Sequence, residues 1–327
     1  MAQILSQLIG HGETVASLLK AYEGGRLAST LLFSGPSGIG KNLAALGLAQ
    51  TLVCEKEKIP ACGECGPCLR MEKGQSESLL KVSPDGAAIK IEQARDILQF
   101  ISLRKLGRAR VVIIEQAHLL NPQSGNSLLK SLEEPPAGTY FILITPLATA
   151  VLPTIRSRSQ LVRFKPLTLT DMKRLLASEI EGPEDEWAIE AAHGSVEVAK
   201  RLLENRDEFI EIKAATEKYL DSLSGQFPVE EISQMRELMK EKSTQGYLFG
   251  LIQGAVRDAL RVQGGLKPSG REAWKGVSEI AGAFSPQNLS ALGELSLAME
   301  SDVARNVDRG LVLENFALQW KSRLRPS

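Results

Sequence analysis

A mixed α/β domain built on a parallel sheet, followed by helices, is the fold class this sequence predicts, and three observations predict it. Leu31-Leu32-Phe33, Val111–Ile114 and Tyr140–Thr145 are continuous apolar runs, as expected of strands covered on both faces. Segments with helical apolar spacing alternate with them, which implies a doubly wound arrangement. A glycine-rich turn ending in a lysine joins the first run to a helix, the context of a phosphate-binding loop.

In chain order, Glu13–Glu23 reads as a lead-in helix. Residues 31–42, LLFSGPSGIGKN, then run from strand through turn into the helix at 43–53. Gly35, Gly38 and Gly40 allow backbone N–H groups to curl round an anion, the helix N-terminus adds its dipole, and Lys41 supplies a point charge. The next position should carry a hydroxyl that ligates Mg²⁺, and here it is Asn42. The alternative is a glycine turn that only packs a helix on a sheet. Further on, Ile89-Lys90-Ile91 reads as a short strand. Glu92–Leu103 reads as a helix through Ala94, Ile97, Leu98 and Ile101, and Val111–Ile114 as a central strand. Asn126–Leu132 is helical, Tyr140–Thr145 is another buried strand, and Leu161–Phe164 is the last. Such a sheet carries its site at the strand C-termini.

Beyond Pro166 the character changes. Thr168–Ile180, Glu184–His193 and Ser195–Leu203 are short amphipathic helices broken at Gly182-Pro183 and Gly194. From about 206 onward the pattern is helical, with loops near Gly225–Pro228, Gly264–Gly270 and Ser285-Pro286. Three domains are expected: 1–165 α/β, 166–205 a small helical domain, and 206–327 a larger all-α domain.

The chain has 327 residues, 43% of them hydrophobic, with 39 Lys+Arg and 39 Asp+Glu. No net field therefore draws the whole molecule to nucleic acid, although a local basic face remains open. No apolar run reaches the length of a membrane span. The N-terminal residues lack the charged and apolar regions of a signal peptide, so a cytoplasmic chain with reduced thiols is expected.

Reduced thiols matter because all four cysteines, Cys54, Cys62, Cys65 and Cys68, lie within fifteen residues. Two overlapping C-x-x-C steps and one cysteine upstream supply four soft ligands, the donor set of a closed structural Zn²⁺ site. Gly63 and Gly66 suit the turns between them. The alternative is four unrelated buried thiols. A second constellation follows the strand at 111–114. Acidic residues at such a strand end hold Mg²⁺ and polarise the attacking water in P-loop NTPases. Here the pair is Glu115 and Gln116, and an amide cannot accept the proton.

Asn126-Ser127-Leu128-Leu129-Lys130-Ser131-Leu132-Glu133-Glu134-Pro135-Pro136, then Thr154-Ile155-Arg156-Ser157-Arg158-Ser159, together with GPSGIGK and the cysteines, resemble the clamp-loader branch of the AAA+ ATPases, the bacterial DNA polymerase III subunits. The resemblance covers roughly residues 5–205. It implies an AAA+ P-loop domain with a parallel sheet, a small helical lid domain and an all-α oligomerisation collar. It further implies assembly with tau/gamma-type and delta-type subunits in a loader that places a sliding clamp on primed DNA. In the family the arginine of S-R-C acts in trans on ATP held by a neighbour, a role that falls on Arg158, with Ser159 replacing the cysteine. From pattern alone Arg158 reads as a surface ion pair. Thr145 falls on the polar sensor of the γ-phosphate. Where a second sensor arginine is expected, the segment Gly194-Ser195-Val196-Glu197 carries Glu197. Asn42, Gln116 and Glu197 thus depart from a working ATPase while Arg158 is retained. Whether the loop still takes ATP or ADP is left open, as is an active ATPase subunit or an adaptor of another complex.

His11 and His193 read as exposed or capping, and His118 as packing. Lys81, Lys90, Arg104, Lys105, Arg108 and Arg110 are candidates to face a phosphate backbone, although a charge run is more often a solvated face.

Overall fold

A computed structural model of the chain describes residues 3–324 except 106, 181, 183–184, 186–187, 190–191, 193, 241, 269–273, 275 and 305–306. The chain divides into two compact units, Met1–Ala177 with His193–Val198, and Ser178–Ala192 with Ala199–Ser327. Stretch 166–205 contributes to both. His193 and most of the helix expected over Glu184–His193 lie outside the described residues.

In the first unit a short turn at Ile4–Gln7 and helix α1 (Gly12–Glu23) precede strand β1 (Thr30–Ser34). Then come α2 (Lys41–Val53), α3 (Gly66–Glu72), β2 (Leu79–Val82), α4 (Ile91–Ser102), β3 (Arg110–Ile114), α5 (Pro122–Glu133), β4 (Thr139–Thr145), α6 (Pro153–Arg156) and β5 (Gln160–Arg163). All pairings are parallel, in the order β2-β3-β4-β1-β5. Strand β1 lies between β4 and β5, in register Leu32↔Leu143 and Leu32↔Leu161.

Side chains alternate across the pleat. Leu32, Val112, Ile114, Phe141 and Leu143 share one core with Ala94 and Ile97 of α4 and Leu128 and Leu132 of α5. Leu31, Phe33, Val111, Ile113 and Ile142 point the other way and are equally buried, on the side where α2 packs against β3 and β4. A strand buried on both faces must be apolar at every position, which is why these runs stand out in the sequence.

The expected strand at Ile89–Ile91 is not one. Ile89 makes a single parallel bridge to Leu120, Lys90 caps α4, and Ile91 opens that helix. The β-branched pair served two elements, and the true fifth strand is β2. That strand lies at the sheet edge and is only half-buried, so Leu79-Leu80-Lys81-Val82 carries no continuous apolar run.

After β5, α7 (Leu169–Leu175) begins at Thr168, whose hydroxyl accepts from the Asp171 N–H at 3.1 Å. It ends well short of the expected Ile180. Helix α8 (Val196–Glu204) follows, and the second unit continues with α9 (Arg206–Ser222), α10 (Val229–Leu238), α11 (Lys242–Gln263), α12 (Val277–Ala283), α13 (Pro286–Ala304) and α14 (Arg309–Arg323). Its core centres on Trp320, Phe316 and Phe284, with the Tyr219 hydroxyl donating to the Leu313 carbonyl at 2.8 Å. Among the described residues no helix is long and apolar enough to cross a membrane.

Phe33 is fully buried and its ring meets Phe164 at 4.9 Å between centroids. Phe33→Ala is expected to destabilise the first unit by about 3–5 kcal/mol, read as a lowered urea midpoint of its unfolding transition.

Candidate functional site

Parallel strands deliver their following loops to one edge of the sheet. The glycine turn after β1, Glu115 and Gln116 after β3, and Thr145 at the end of β4 therefore collect there, as the sequence predicts. The Gly35 N–H donates to the Thr145 carbonyl at 3.3 Å, tying the turn to the neighbouring strand. Gly38 and Gly40 take φ of +69° and +97°, the left-handed region that other residues enter at a cost. A Cβ on Gly38 would also lie 2.7 Å from the Glu197 nitrogen and 2.4 Å from its Cβ. The N-terminus of α8 packs directly on the turn, and the Val196 N–H donates to the Gly38 carbonyl at 3.0 Å.

Lys41 is only 6% exposed. Its ammonium folds back onto its own loop, donating to the carbonyls of Gly35 at 2.6 Å and Pro36 at 2.5 Å. Burial pushes its pKa down to about 8, against the opposing pull of the Glu197 carboxylate. Asn42 is exposed in the first turn of α2. His11, read as exposed or capping, stands at the N-cap of α1 without a side-chain capping bond, and the correction concerns its exposure. It is buried, and its Nε2 bonds the Ile39 carbonyl at 2.7 Å, with the ring edge-on to Phe164. The histidine braces the turn from beneath.

Glu115 accepts from the Ser83 hydroxyl at 2.7 Å and pairs with Lys81 at 3.2 Å. Gln116 is exposed with φ of +48°, a left-handed conformation at a non-glycine residue. The Thr145 hydroxyl is buried and engaged locally, donating to the Leu147 carbonyl at 3.0 Å and accepting from its N–H at 3.3 Å. His118 has a buried Nδ1 without a partner among the described residues, and burial lowers its pKa.

The four cysteines are all buried, with sulfur atoms within 4.8 Å of one another. Cys62 and Cys68 Sγ are 3.9 Å apart. A tetrahedral four-thiolate set with bonds of about 2.3 Å has edges of about 3.8 Å, so the donor set fits a metal ion. Burial alone would push the Cys62 thiol up, but the N–H groups of Glu64 and Cys65 donate to its sulfur and help bring it down to about 6. Burial pushes Cys68 the other way. Gln50, missed in the sequence, secures the module. It accepts from the Ile4 N–H at 3.0 Å and donates to the Cys68 carbonyl at 3.1 Å. With Thr51 it forms a buried polar pair inside the largely apolar α2, and that is the signal that could have found it.

Arg158 follows α6, and its Nε donates to Glu133 Oε2 at 2.7 Å. Nη1 reaches the Thr154 carbonyl at 3.1 Å. The ion pair read from pattern alone is present, with 34% of the arginine side chain exposed. Most of the basic candidates are bound within the chain. Arg110 is a correction: it is buried, donates to the Ile101 and Leu103 carbonyls at 2.7 Å each, and lies over the Phe100 ring. It caps the C-terminus of α4, where a cation is favoured. Arg108 binds the Cys54 carbonyl at 3.1 Å and Glu57 at 3.3 Å, and Lys90 pairs with Asp85. Lys105 donates to the Arg108 carbonyl at 3.1 Å, and Arg104 is exposed.

Comparison with known proteins places the site in context. The family described as DNA polymerase III, delta subunit, matches residues 10–168. DNA polymerase III subunit delta' of Bacillus subtilis (strain 168) is 32% identical over 252 residues, 75% of this chain and 76% of its own length. The delta' subunit of Pseudomonas aeruginosa is 38% identical over 141 residues, covering 41% of this chain and 43% of that protein. DNA polymerase III subunit tau of Salmonella typhimurium is 32% identical over 176 residues, 53% of this chain and 27% of its own length.

Because the Lys41 pKa is about 8 in the fold and 10.5 as the ordinary value, the unfolded chain binds the extra proton between these limits. Stability should therefore rise with pH across that window. Lys41→Met removes this contribution. The wild-type minus variant difference in urea-unfolding free energy is expected to climb from pH 8 to 10 and to be flat from pH 6 to 7.5. A difference that is flat throughout would refute the depressed pKa.

Proposed function

This chain belongs to the delta-prime family of DNA polymerase III clamp-loader subunits, and from that premise we propose that it completes a neighbour's ATPase site without hydrolysing ATP itself. The observation that carries this reading is an asymmetry between two sites. Arg158 is retained at an accessible position, while the chain's own catalytic positions are changed at Asn42, Gln116 and Glu197. A rigid guanidinium set against a γ-phosphate stabilises charge developing in the transition state. Gln116 cannot act as a base, and Glu197 puts a negative charge beside Lys41 where a phosphate sensor would be positive.

In this reading the loader joins the chain to tau/gamma-type and delta-type subunits in the cytoplasm and helps place a sliding clamp on primed DNA. Residues 166–205 serve as its lid segment, and 206–327 as its share of an oligomer collar. Leu311 and Leu318, seven residues apart and more than half exposed, give α14 a second apolar face opposite its buried Phe316 and Trp320. The cysteines hold Zn²⁺ as a structural ion with no open position for chemistry.

An active tau/gamma-type subunit is the second reading, favoured by one observation. The glycines and Lys41 survive intact, so ATP or ADP binding fits the turn. Measurable turnover by the isolated chain would support it. An adaptor of another complex would instead fail to co-purify with loader subunits.

Two experiments test the first reading. In the reconstituted loader, Arg158→Ala is expected to lower clamp- and DNA-stimulated ATP hydrolysis by on the order of tenfold or more, with subunit stoichiometry unchanged. An unchanged rate sinks the finger assignment. Elemental analysis should find one zinc per chain, and Cys62→Ser should lose it and lower the thermal midpoint; a metal-free, equally stable wild type would reject the zinc.

A further inference from the structure

Resting on the proposed trans role of Arg158, we infer that Glu133 is its positioning residue, the group that aims the guanidinium at a neighbour's phosphate. Among the described residues the arginine's own short segment offers partners to Nη1 alone, the Thr154 carbonyl and the Ser157 hydroxyl, and none to Nε. Helix α6 has four residues and ends before Arg158, and a long side chain leaving such a segment samples many rotamers.

The surrounding backbone is firmly placed. Ile155 is fully buried, and its carbonyl accepts from the Arg158 N–H at 3.1 Å and the Ser159 hydroxyl at 2.8 Å. A Cβ on Gly125 would lie 2.5 Å from Leu152 Cδ1, so α5 comes close to the start of this segment at a residue without a side chain. The end of α5 is pinned in turn. The Thr30 hydroxyl, on the strand that leads into the phosphate loop, donates to the Leu132 carbonyl at 2.8 Å. Glu133 is the next residue, so its carboxylate stands on a helix end fastened to the sheet.

The guanidinium is divided by these contacts. Nε is taken by Glu133 and Nη1 by the Thr154 carbonyl and, at 3.5 Å, the Ser157 hydroxyl. Among the described residues Nη2 has no partner, which leaves both its hydrogens for an oxygen from outside the chain. An exposed ion pair of this kind adds little to stability. Its effect is orientation: the side chain reaches the interface with its rotamer already selected, and the catalytic geometry costs less to form.

The test uses the reconstituted loader, with kcat and KM for ATP measured in the presence of clamp and primed DNA. Glu133→Ala is expected to lower kcat by about tenfold with KM unchanged. Glu133→Gln, which keeps the shape and an acceptor oxygen, should lie between that variant and wild type. In an Arg158→Ala background, Glu133→Ala should cause no further loss. An equal loss in that background would show a merely structural role and overturn the inference. A kcat that is unchanged or raised by Glu133→Ala would overturn it as well, a rise showing that the carboxylate restrains the arginine. If Arg158→Ala itself leaves the rate intact, the trans role fails first, and the inference with it.

Discussion

The parallel pairing of β1 between β4 and β5 is the constraint on which the first unit depends. With neighbours on both sides and helices on both faces, β1 has no solvated surface, so every residue from Thr30 to Phe33 must be buried. Parallel strands also share one direction, and each loop that leaves a C-terminal end opens on the same edge. Gly38, Glu115 and Thr145 lie far apart in sequence and reach one edge for this reason alone. The architecture brings nucleotide-site positions together whether or not they still perform chemistry.

The polar groups at that edge find their partners within the chain. Lys41 is satisfied by two carbonyls of its own turn, Glu115 by Lys81 and Ser83, and Thr145 by Leu147. The buried lysine is the extreme case, since a buried charge needs compensation. Glu197, arriving on α8, adds a negative charge beside the buried cation. These contacts form a self-consistent set that holds the phosphate-loop shape from within the chain.

How much of this was legible in the sequence follows from the range of each interaction. Central strands, the turn and the cysteine module are local patterns, and they stand where the spacing put them. Strand β2 was missed because an edge strand is half-buried and lacks the apolar run, and Ile89 with Ile91 looked like a strand because burial by a bridge and burial by a helix face leave the same residue types. His11 reads as exposed or capping; it does stand at the N-cap of α1, but nothing in Gly-His-Gly announces that its ring is buried against the Ile39 carbonyl. Arg110 sat in a basic run, yet its role is set by the carbonyls ending α4, visible only once that helix is built. Glu133 likewise acts across a sequence separation of 25 residues, where pattern carries no signal, and Gln50 acts across 18, where the pattern marks a polar residue in a largely apolar helix but not its partner.

On the proposed reading the two halves of the nucleotide chemistry obey different constraints, so one can change while the other persists. A site that binds and cleaves its own nucleotide must keep base, metal ligand and sensor aligned around one turn, and a change at any of them removes the selective value of the rest. An arginine that serves a neighbour depends on none of these. It needs a fixed helix end, a free nitrogen and exposure, and Arg158 has all three: α5 is tied to β1 through Thr30, Nη2 is open among the described residues, and a third of the side chain is accessible. The sheet that carries the glycine turn is the same scaffold that steadies Glu133, through the Thr30 hydroxyl and the Leu132 carbonyl. On the proposed reading, the fold is retained for what it presents outward, and the identity of residues at the inner edge is free to drift so long as their charges remain paired.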